Sequence, residues 1–353
     1  MARILFLTST MQGGGAERVI ANLSGFFADK GHTVGILATG GNILEYNLHP
    51  KVIYLYTSPK TDLFAFKQLS KIFQNNLEIK NFKPDVVVGF LPTPIIYGAL
   101  SKFMRNHFRY IISERMDPYQ DPKNILLRKV RNLAFRFGDC FVFQTDDAKE
   151  YYGNIVRGKS KIILNPIKAD LPSAYISQLS KKIVTVARLE PQKNILLLIK
   201  AFGLLKRDDF QLHIYGTGSE EQALKQYVLK HEISNVNFEG FCSDIHDKIK
   251  DATAFVLPSN YEGMSNAMLE AMVMGLPIIV TDHPIGAPKM LIDNLENGIL
   301  VPINNPEELA KAMRLLIDDF ELQKKLSNNS KKIKKLVSSE VIYQQWEEVI
   351  LSE

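Results

Sequence analysis

The stretch AFVLPSNYEGMSNAMLEAMVMGLPIIVTD, Ala254 to Asp282, decides how this chain folds. Ala254-Phe255-Val256-Leu257 is a short apolar run stopped by Pro258, the pattern of a buried strand. After a polar loop, Asn266 to Met274 reads as a helix, with Gly275 and Pro277 as its stop signals. Ile278-Ile279-Val280 is the next strand. Strand, helix and strand so closely spaced predict a βαβ unit with parallel strands. Ligands of such units bind beyond the carboxyl ends of the strands, beside the helix N-terminus. Glu262 to Ala267 fall there.

Two carboxylates mark the unit, Glu262 in the loop and Glu270 one turn into the helix. Gly263 argues against one continuous helix, so Glu262 is expected over the cleft and Glu270 on the helix side. The amides of Met264, Ser265, Asn266 and Ala267 are expected to point into the same space. Backbone N–H groups at a helix start suit a phosphate, and carboxylates suit the hydroxyls of a ribose or sugar ring. Together they predict a phosphorylated, polyhydroxylated ligand. Taken alone, the same two glutamates also fit a capping residue and a surface residue.

At 353 residues, 46% hydrophobic and 23% charged, the chain suits two soluble domains of ordinary size. It has no apolar run long enough for a transmembrane helix, and MARILFL reads as a first strand rather than a signal peptide. Cys140 and Cys242 stand alone, as expected in a reduced cytoplasm. The net charge of +5 is uneven: residues 1 to 170 hold 23 Lys/Arg against 14 Asp/Glu, and the remainder 20 against 24. Lys102 to Arg136 alone carries nine basic and three acidic residues, interleaved with Phe103, Phe108, Tyr110 and Phe135. Such a surface suits an anionic bilayer or a polyanionic acceptor; a solvated basic face is the plainer alternative. No recognised helix or aromatic strand motif supports nucleic-acid binding.

Strands are expected at Ile4–Leu7, His32–Ala38, Ile53–Tyr56, Asp85–Phe90, Tyr110–Ile112, Cys140–Phe143 and Lys161–Leu164. Helices are expected at Ala16–Lys30, Leu63–Asn81 and Asn124–Phe137. Lys168 to Ser180 reads as linker. A second set of strands follows at Lys182–Ala187, Phe210–Tyr215 and Val236–Phe241, with late helices at Glu307–Asp318, Glu321–Val337 and Glu340–Leu351. Arg188 and Lys193 sit just past a strand end, where two cations can neutralise a diphosphate leaving group. The turn Met11-Gln12-Gly13-Gly14-Gly15 departs from G-x-G-x-x-G and has no acidic partner at the ribose position, which disfavours a nicotinamide cofactor.

EGMSNAMLE resembles the E-x7-E signature of the retaining glycosyltransferases of family 4, which have the GT-B architecture. ARLEPQKN is similar to the family's R-x4-K motif, Gly216-Thr217-Gly218 to its G-x-G, and Asn165-Pro166-Ile167 to the close of its first domain. The motifs occur in family order over nearly the whole chain. The resemblance implies an α/β fold of two Rossmann-like domains with parallel sheets, facing across a cleft. The implied domains are 1–170 for the acceptor, 171–338 for the donor, and 339–353 as a terminal helix recrossing to the first. It also implies a nucleotide-diphosphate sugar as co-substrate, a UDP-sugar by preference, with no metal because Arg188 and Lys193 do that charge work. Glu262 would hold the transferred sugar and Glu270 the ribose hydroxyls. Gly14, Gly15, Gly216, Gly218, Phe241, Gly263, Met264, Ser265, Asn266 and Ala267 would line the donor.

Two segments depart from the family pattern. SERMDP, Ser113 to Pro118, stands where many members have a histidine, and PIGAPK, Pro284 to Lys289, where many have G-G-x-x-E. Both resemble forms found among enzymes that build bacterial surface polysaccharides. Arg115 is a candidate for an anionic acceptor or for an ion pair with Glu114. Arg128, Lys129 and Arg131 are candidates for an acceptor or a membrane. The expected acceptor is a glycan, lipid-linked and met at the inner face of the cytoplasmic membrane. A soluble sugar, metabolite or protein acceptor is the alternative, and a non-catalytic nucleotide-sugar binder a remote one.

Overall fold

The structure, a computed structural model, describes residues 1–58, 64–104, 106–168, 170–174 and 180–352. Leu63, at the start of one expected helix, and much of the expected linker lie outside the described residues. The chain forms two compact units, Met1–Pro166 with Glu340–Glu353, and Ile167–Ser339.

The first unit is built on strands β1 (Arg3–Thr8), β2 (Thr33–Ala38), β3 (Ile53–Tyr56), β4 (Val86–Phe90), β5 (Arg109–Ser113), β6 (Cys140–Phe143) and β7 (Ser160–Ile162). They form one parallel sheet in the order β3-β2-β1-β4-β5-β6-β7. Helices α1 (Gly15–Asp29), α2 (Phe64–Phe82), α3 (Pro92–Phe103), α4 (Ile125–Ala134) and α5 (Asp146–Glu150) belong to its connections. In β4 every residue is buried, which is why VVVGF is apolar throughout rather than alternating.

The second unit repeats the plan. Strands β8 (Ser180–Val186), β9 (Gln211–Tyr215), β10 (Val236–Gly240), β11 (Ala252–Leu257), β12 (Ile278–Thr281) and β13 (Ile299–Val301) pair in parallel, in the order β10-β9-β8-β11-β12-β13. Its helices are α6 (Ile195–Leu205), α7 (Glu221–Lys230), α8 (Ile245–Ile249), α9 (Asn266–Met274), α10 (Pro288–Leu291), α11 (Pro306–Asp318), α12 (Phe320–Ser330) and α13 (Lys334–Val337). The opening stretch is β11, α9 and β12, and Gly275 ends α9 in a left-handed conformation (φ 85°). The helix expected over Glu321–Val337 is instead interrupted by a 3₁₀ turn at 331–333. Ser327-Asn328-Asn329-Ser330, a run of weak helix formers, precedes the break; Ser330 Oγ donates back to the Ser327 carbonyl at 3.1 Å, and Asn329 Nδ2 to the Glu296 carbonyl at 2.8 Å.

By its contacts Ile167 falls with the second unit. Ile167 bridges to Ser338, and its amide donates to the Val337 carbonyl at 2.8 Å. The terminal helix α14 (Ser339–Leu351) returns to the first unit, where Ile342, Trp346, Val349 and Ile350 join its core. Trp346 is fully buried and stacks on Phe90 with ring centres 5.7 Å apart. Arg109 seals the end of the helix through Nη1 to the Val349 carbonyl at 2.7 Å. Trp346→Ala should cost about 4 kcal/mol of first-unit stability, the scale of a large core cavity, measurable by denaturant unfolding followed by circular dichroism.

Candidate functional site

The loops leaving β8, β9 and β10 at their carboxyl ends are joined backbone to backbone. The Ala187 amide donates to the Tyr215 carbonyl at 3.0 Å, Leu189 to Thr217 at 2.9 Å, and Gly216 to Gly240 at 2.7 Å. Gly216 has φ 126°, and a side chain there would overlap the Ala187 carbonyl oxygen; one at Gly218 would crowd the Leu189 carbonyl. These glycines are therefore required by the neighbouring loop that carries Arg188. Arg188 itself is exposed at the end of β8, as is Phe241 beyond β10 (82%).

Lys193 closes a short 3₁₀ turn, Pro191–Lys193, and Asn194 follows in a left-handed conformation (φ 47°) before α6. This turn is stitched to the loop after β11. The Asn260 amide donates to the Gln192 carbonyl at 2.9 Å, Gln192 Nε2 to the Tyr261 carbonyl at 2.9 Å, and Asn194 Nδ2 to Asn260 Oδ1 at 2.9 Å. The stitching brings Lys193 Nζ onto Glu262 Oε1 in a largely buried ion pair. Ser259 Oγ donates to the same oxygen at 2.8 Å, and Thr281 Oγ1 holds the Ser259 carbonyl at 2.6 Å. Burial opposes ionisation of Glu262, but the Lys193 charge and the hydrogen bonds from Lys193 and Ser259 outweigh it. The carboxyl is held below its ordinary range.

Gly263 and Met264 are buried beyond Glu262, and Ser265 caps α9, its Oγ accepting from the Met268 amide at 3.4 Å. Asn266 and Ala267 form the first turn, so amides and positive dipole end lie beside Glu262 along the chain. Glu270 sits one turn in and meets His246 Nε2 at 3.1 Å. The structure thus gathers Lys193, Glu262 and the α9 start on one edge of the second sheet. His246, His283, Ser259 and Asn260 also belong here, although no spacing or period in the sequence singles them out. Their roles arise from contacts between separate loops.

In the first unit, Gly14 is the N-cap of α1, and its carbonyl accepts from Tyr46 Oη at 2.7 Å; Gly15 is the first residue of that helix. Arg131, expected at an acceptor or membrane, is instead fully buried. It pairs with Glu114 at 3.2 Å and donates to the carbonyls of Asp121 (2.6 Å) and Pro118 (2.9 Å), pinning the SERMDP loop from below. Tyr152 Oη also donates to Glu114, at 2.5 Å. Arg115 is buried too, so neither arginine can face a membrane. Its side chain does not take Glu114 as an ion-pair partner. Its guanidinium lies 5.1 Å from the Phe90 ring centre and 5.3 Å from that of Trp346, and Nη1 donates to Asn165 at 3.1 Å. Arg131 turns inward by helical phase, since position 131 falls on the inward face of α4, whereas Arg115 lies in the loop after β5. Arg128 donates to the Pro122 carbonyl at 3.1 Å, and Lys129 is exposed. Beside them Ile125, Leu126 (72%), Val130 and Leu133 are all exposed, an apolar outer face on a basic helix.

Two family models match consecutive parts of the chain: Glycosyltransferase Family 4 over residues 13–171, and Glycosyl transferases group 1 over residues 172–333. An uncharacterized glycosyltransferase of Haemophilus influenzae is 28% identical, with 98% of each chain covered. The Campylobacter jejuni GalNAc-alpha-(1->4)-GalNAc-alpha-(1->3)-diNAcBac-PP-undecaprenol alpha-1,4-N-acetyl-D-galactosaminyltransferase is 26% identical, covering 99% of this chain and 98% of its own. Anabaena Alr3699/HepE, solved in complex with UDP and glucose, superposes with a TM-score of 0.83 at 18% identity over the full length of both chains. At that identity the likeness is one of fold.

Because the Glu262 carboxyl is depressed, its pairing stabilises the fold above the ordinary carboxylate range and ceases to do so as pH falls through its folded value. Lys193→Met removes the counter-charge and leaves burial to raise the carboxyl instead. The variant should be about 3 kcal/mol less stable at neutral pH. That deficit should shrink as the pH falls, first through the variant's raised value, where its carboxyl protonates and the buried charge is lost, and then through the wild type's depressed one. Urea unfolding of both proteins across the range checks this.

Proposed function

This chain belongs to glycosyltransferase family 4, of GT-B architecture, and we propose that it is a retaining enzyme that moves a sugar from a UDP-sugar to a lipid-linked glycan in cell-surface polysaccharide assembly. The observation that carries the proposal is the Lys193–Glu262 pair at the carboxyl edge of the second sheet, beside the start of α9. One cation, one buried carboxylate and a helix N-terminus match a donor that is anionic at its diphosphate and hydroxylated at its sugar. The Anabaena structure, with UDP and glucose bound on the same fold, supports a UDP-sugar. The Campylobacter relative, whose name gives it a PP-undecaprenol glycan acceptor, supports a lipid-linked one.

In this proposal Arg188 and Lys193 neutralise the diphosphate as the sugar leaves, together with the amides of Ser265 to Ala267. The cations supply charge that a divalent metal would otherwise bring, so no metal is needed. Glu270 takes the ribose hydroxyls and Glu262 the hydroxyls of the transferred sugar. Gly216, Gly218, Phe241, Gly263 and Met264 complete the donor's surroundings on the second unit. The acceptor hydroxyl attacks the anomeric carbon on the face the diphosphate is leaving. Its proton passes to the departing phosphate oxygen, which retains the configuration without a side-chain base.

The acceptor's membrane is met by α4. No helix among the described residues is long and apolar enough to cross a bilayer, but the outer face of α4 is suited to lying on one. Ile125, Leu126, Val130 and Leu133 are exposed next to Lys129, and Phe103 extends the patch by packing edge-on to Phe137 at 6.0 Å.

Glu262→Gln and Lys193→Ala should each lower transfer at least about a hundredfold, the scale of losing one transition-state electrostatic contact. A thermal-shift and hydrolysis screen across UDP-, GDP- and ADP-sugars with chelator present identifies the donor for that assay. Stabilisation by none of them, or near-normal turnover in both variants, rejects the site. Replacing Leu126 and Leu133 by Ser and Lys129 by Ala should weaken cosedimentation with anionic vesicles about tenfold or more, with donor-induced stabilisation unchanged. Unaltered cosedimentation would refute the membrane-facing role.

A further inference from the structure

The Lys193–Glu262 pair has a buried neighbour that the pairing leaves out. His283 follows β12 within two residues, is 2% exposed, and has no hydrogen-bond partner at Nε2. Its Nδ1 approaches the Pro284 carbonyl oxygen at 3.4 Å. That contact favours the tautomer with its proton on Nδ1, which leaves Nε2 a bare acceptor. The ring packs on Gly286, where any side chain would overlap it. The 284–287 loop is tied to the Glu262 loop through the Ala287 amide and the Gly263 carbonyl at 3.3 Å. The charged groups acting on the imidazole are Glu262, Lys193 and Asp282.

Lys193 carries one charge and is asked to serve two anions, Glu262 and the donor diphosphate. A carboxylate as buried as Glu262 is costly to leave without a counter-charge. We propose that His283 is the positioning residue that resolves this conflict. As the diphosphate draws Lys193 away, the imidazole takes a proton from solvent and its Nε2–H bonds the Glu262 carboxylate in place of Lys193. Glu262 then stays ionised and oriented toward the hydroxyls of the sugar. The inference rests on the donor site proposed above and adds a residue and a proton to it.

The direction of the proton follows from the charges. Burial holds the imidazole below its ordinary value, the Glu262 charge raises it and the Lys193 charge lowers it. Compensating Lys193 with phosphate removes the opposing charge and leaves Glu262 and Asp282 to act on the ring, so the imidazole pKa rises and binding takes up a proton. Donor affinity should accordingly fall as pH rises through the bound-state value.

UDP-glucose is a suitable probe because its diphosphate diester has no proton that titrates near neutrality. Calorimetric titration of the full chain at pH 7, in buffers of different ionisation enthalpy, should show net proton uptake, with affinity weakening several-fold between about pH 6 and 8. His283→Gln keeps an N–H donor that cannot titrate, so it should bind without uptake and without the pH slope. Uptake should also vanish in Glu262→Gln. The wild type offers a second readout needing no variant: the ¹⁵N shift of the His283 Nε2 should move from the bare to the protonated range on adding UDP-glucose. Binding without uptake, an unmoved Nε2 shift, or uptake that persists in His283→Gln overturns the inference while leaving the donor site standing. If UDP-glucose, UDP-N-acetylglucosamine and UDP-N-acetylgalactosamine all fail to bind the wild type, the UDP-sugar reading falls and takes this inference with it.

Discussion

The ion pair between Lys193 and Glu262 is the constraint on which the second unit's site depends. Its partners are 69 positions apart and come from the loops after β8 and β11, neighbouring strands in the sheet. A carboxylate that is 6% exposed can stay ionised only if its charge is met at short range. Several uncharged side chains are therefore committed to alignment. Gln192, Asn194 and Asn260 join the loops, Thr281 holds the Ser259 carbonyl, and Ser259 donates to the carboxylate. These hydrogen bonds tie the two loops to each other and hold the pair from both sides.

The first unit uses the same chemistry for another purpose. Glu114 and Arg131 are both buried, and they are linked to Tyr152 and to the carbonyls of Pro118 and Asp121. These contacts leave neither side chain available to a substrate, so the pair serves to hold the loop after β5. The basic stretch that looks uniform in the sequence thus divides by helical phase. Arg131 turns inward to the loop, while Lys129 and the apolar residues of the outer face remain exposed. A sum over charges cannot make that division, because it counts a buried arginine and an exposed lysine alike.

Where local pattern and structure part, the cause is competition at short range or pairing at long range. The late helix breaks after Ser327-Asn328-Asn329-Ser330, a run of weak helix formers in which Ser330 bonds the backbone of its own turn. Ile167 falls with the second unit because it is bonded to residues far along the chain, at Val337 and Ser338. The glycines at 216 and 218 were legible as a turn, but what demands them is the backbone of the 187–189 loop.

Much was determined by the sequence alone. Apolar runs such as VVVGF and AFVL, helices between them, and glycine and proline stops specify parallel sheets, since strands buried on both faces must be apolar throughout. The spacing of Glu262 and Glu270 about a helix start also puts the candidate site at a strand's carboxyl end, because chain direction in a βαβ unit is fixed. The tertiary structure alone decided which charges meet. Lys193 finds Glu262, Arg131 finds Glu114, His246 finds Glu270, and the Nε2 of His283 finds no partner. Periodicity describes which way a side chain faces from its own element, whereas an ion pair depends on the distance between two loops. That distance is set only when the sheet has assembled.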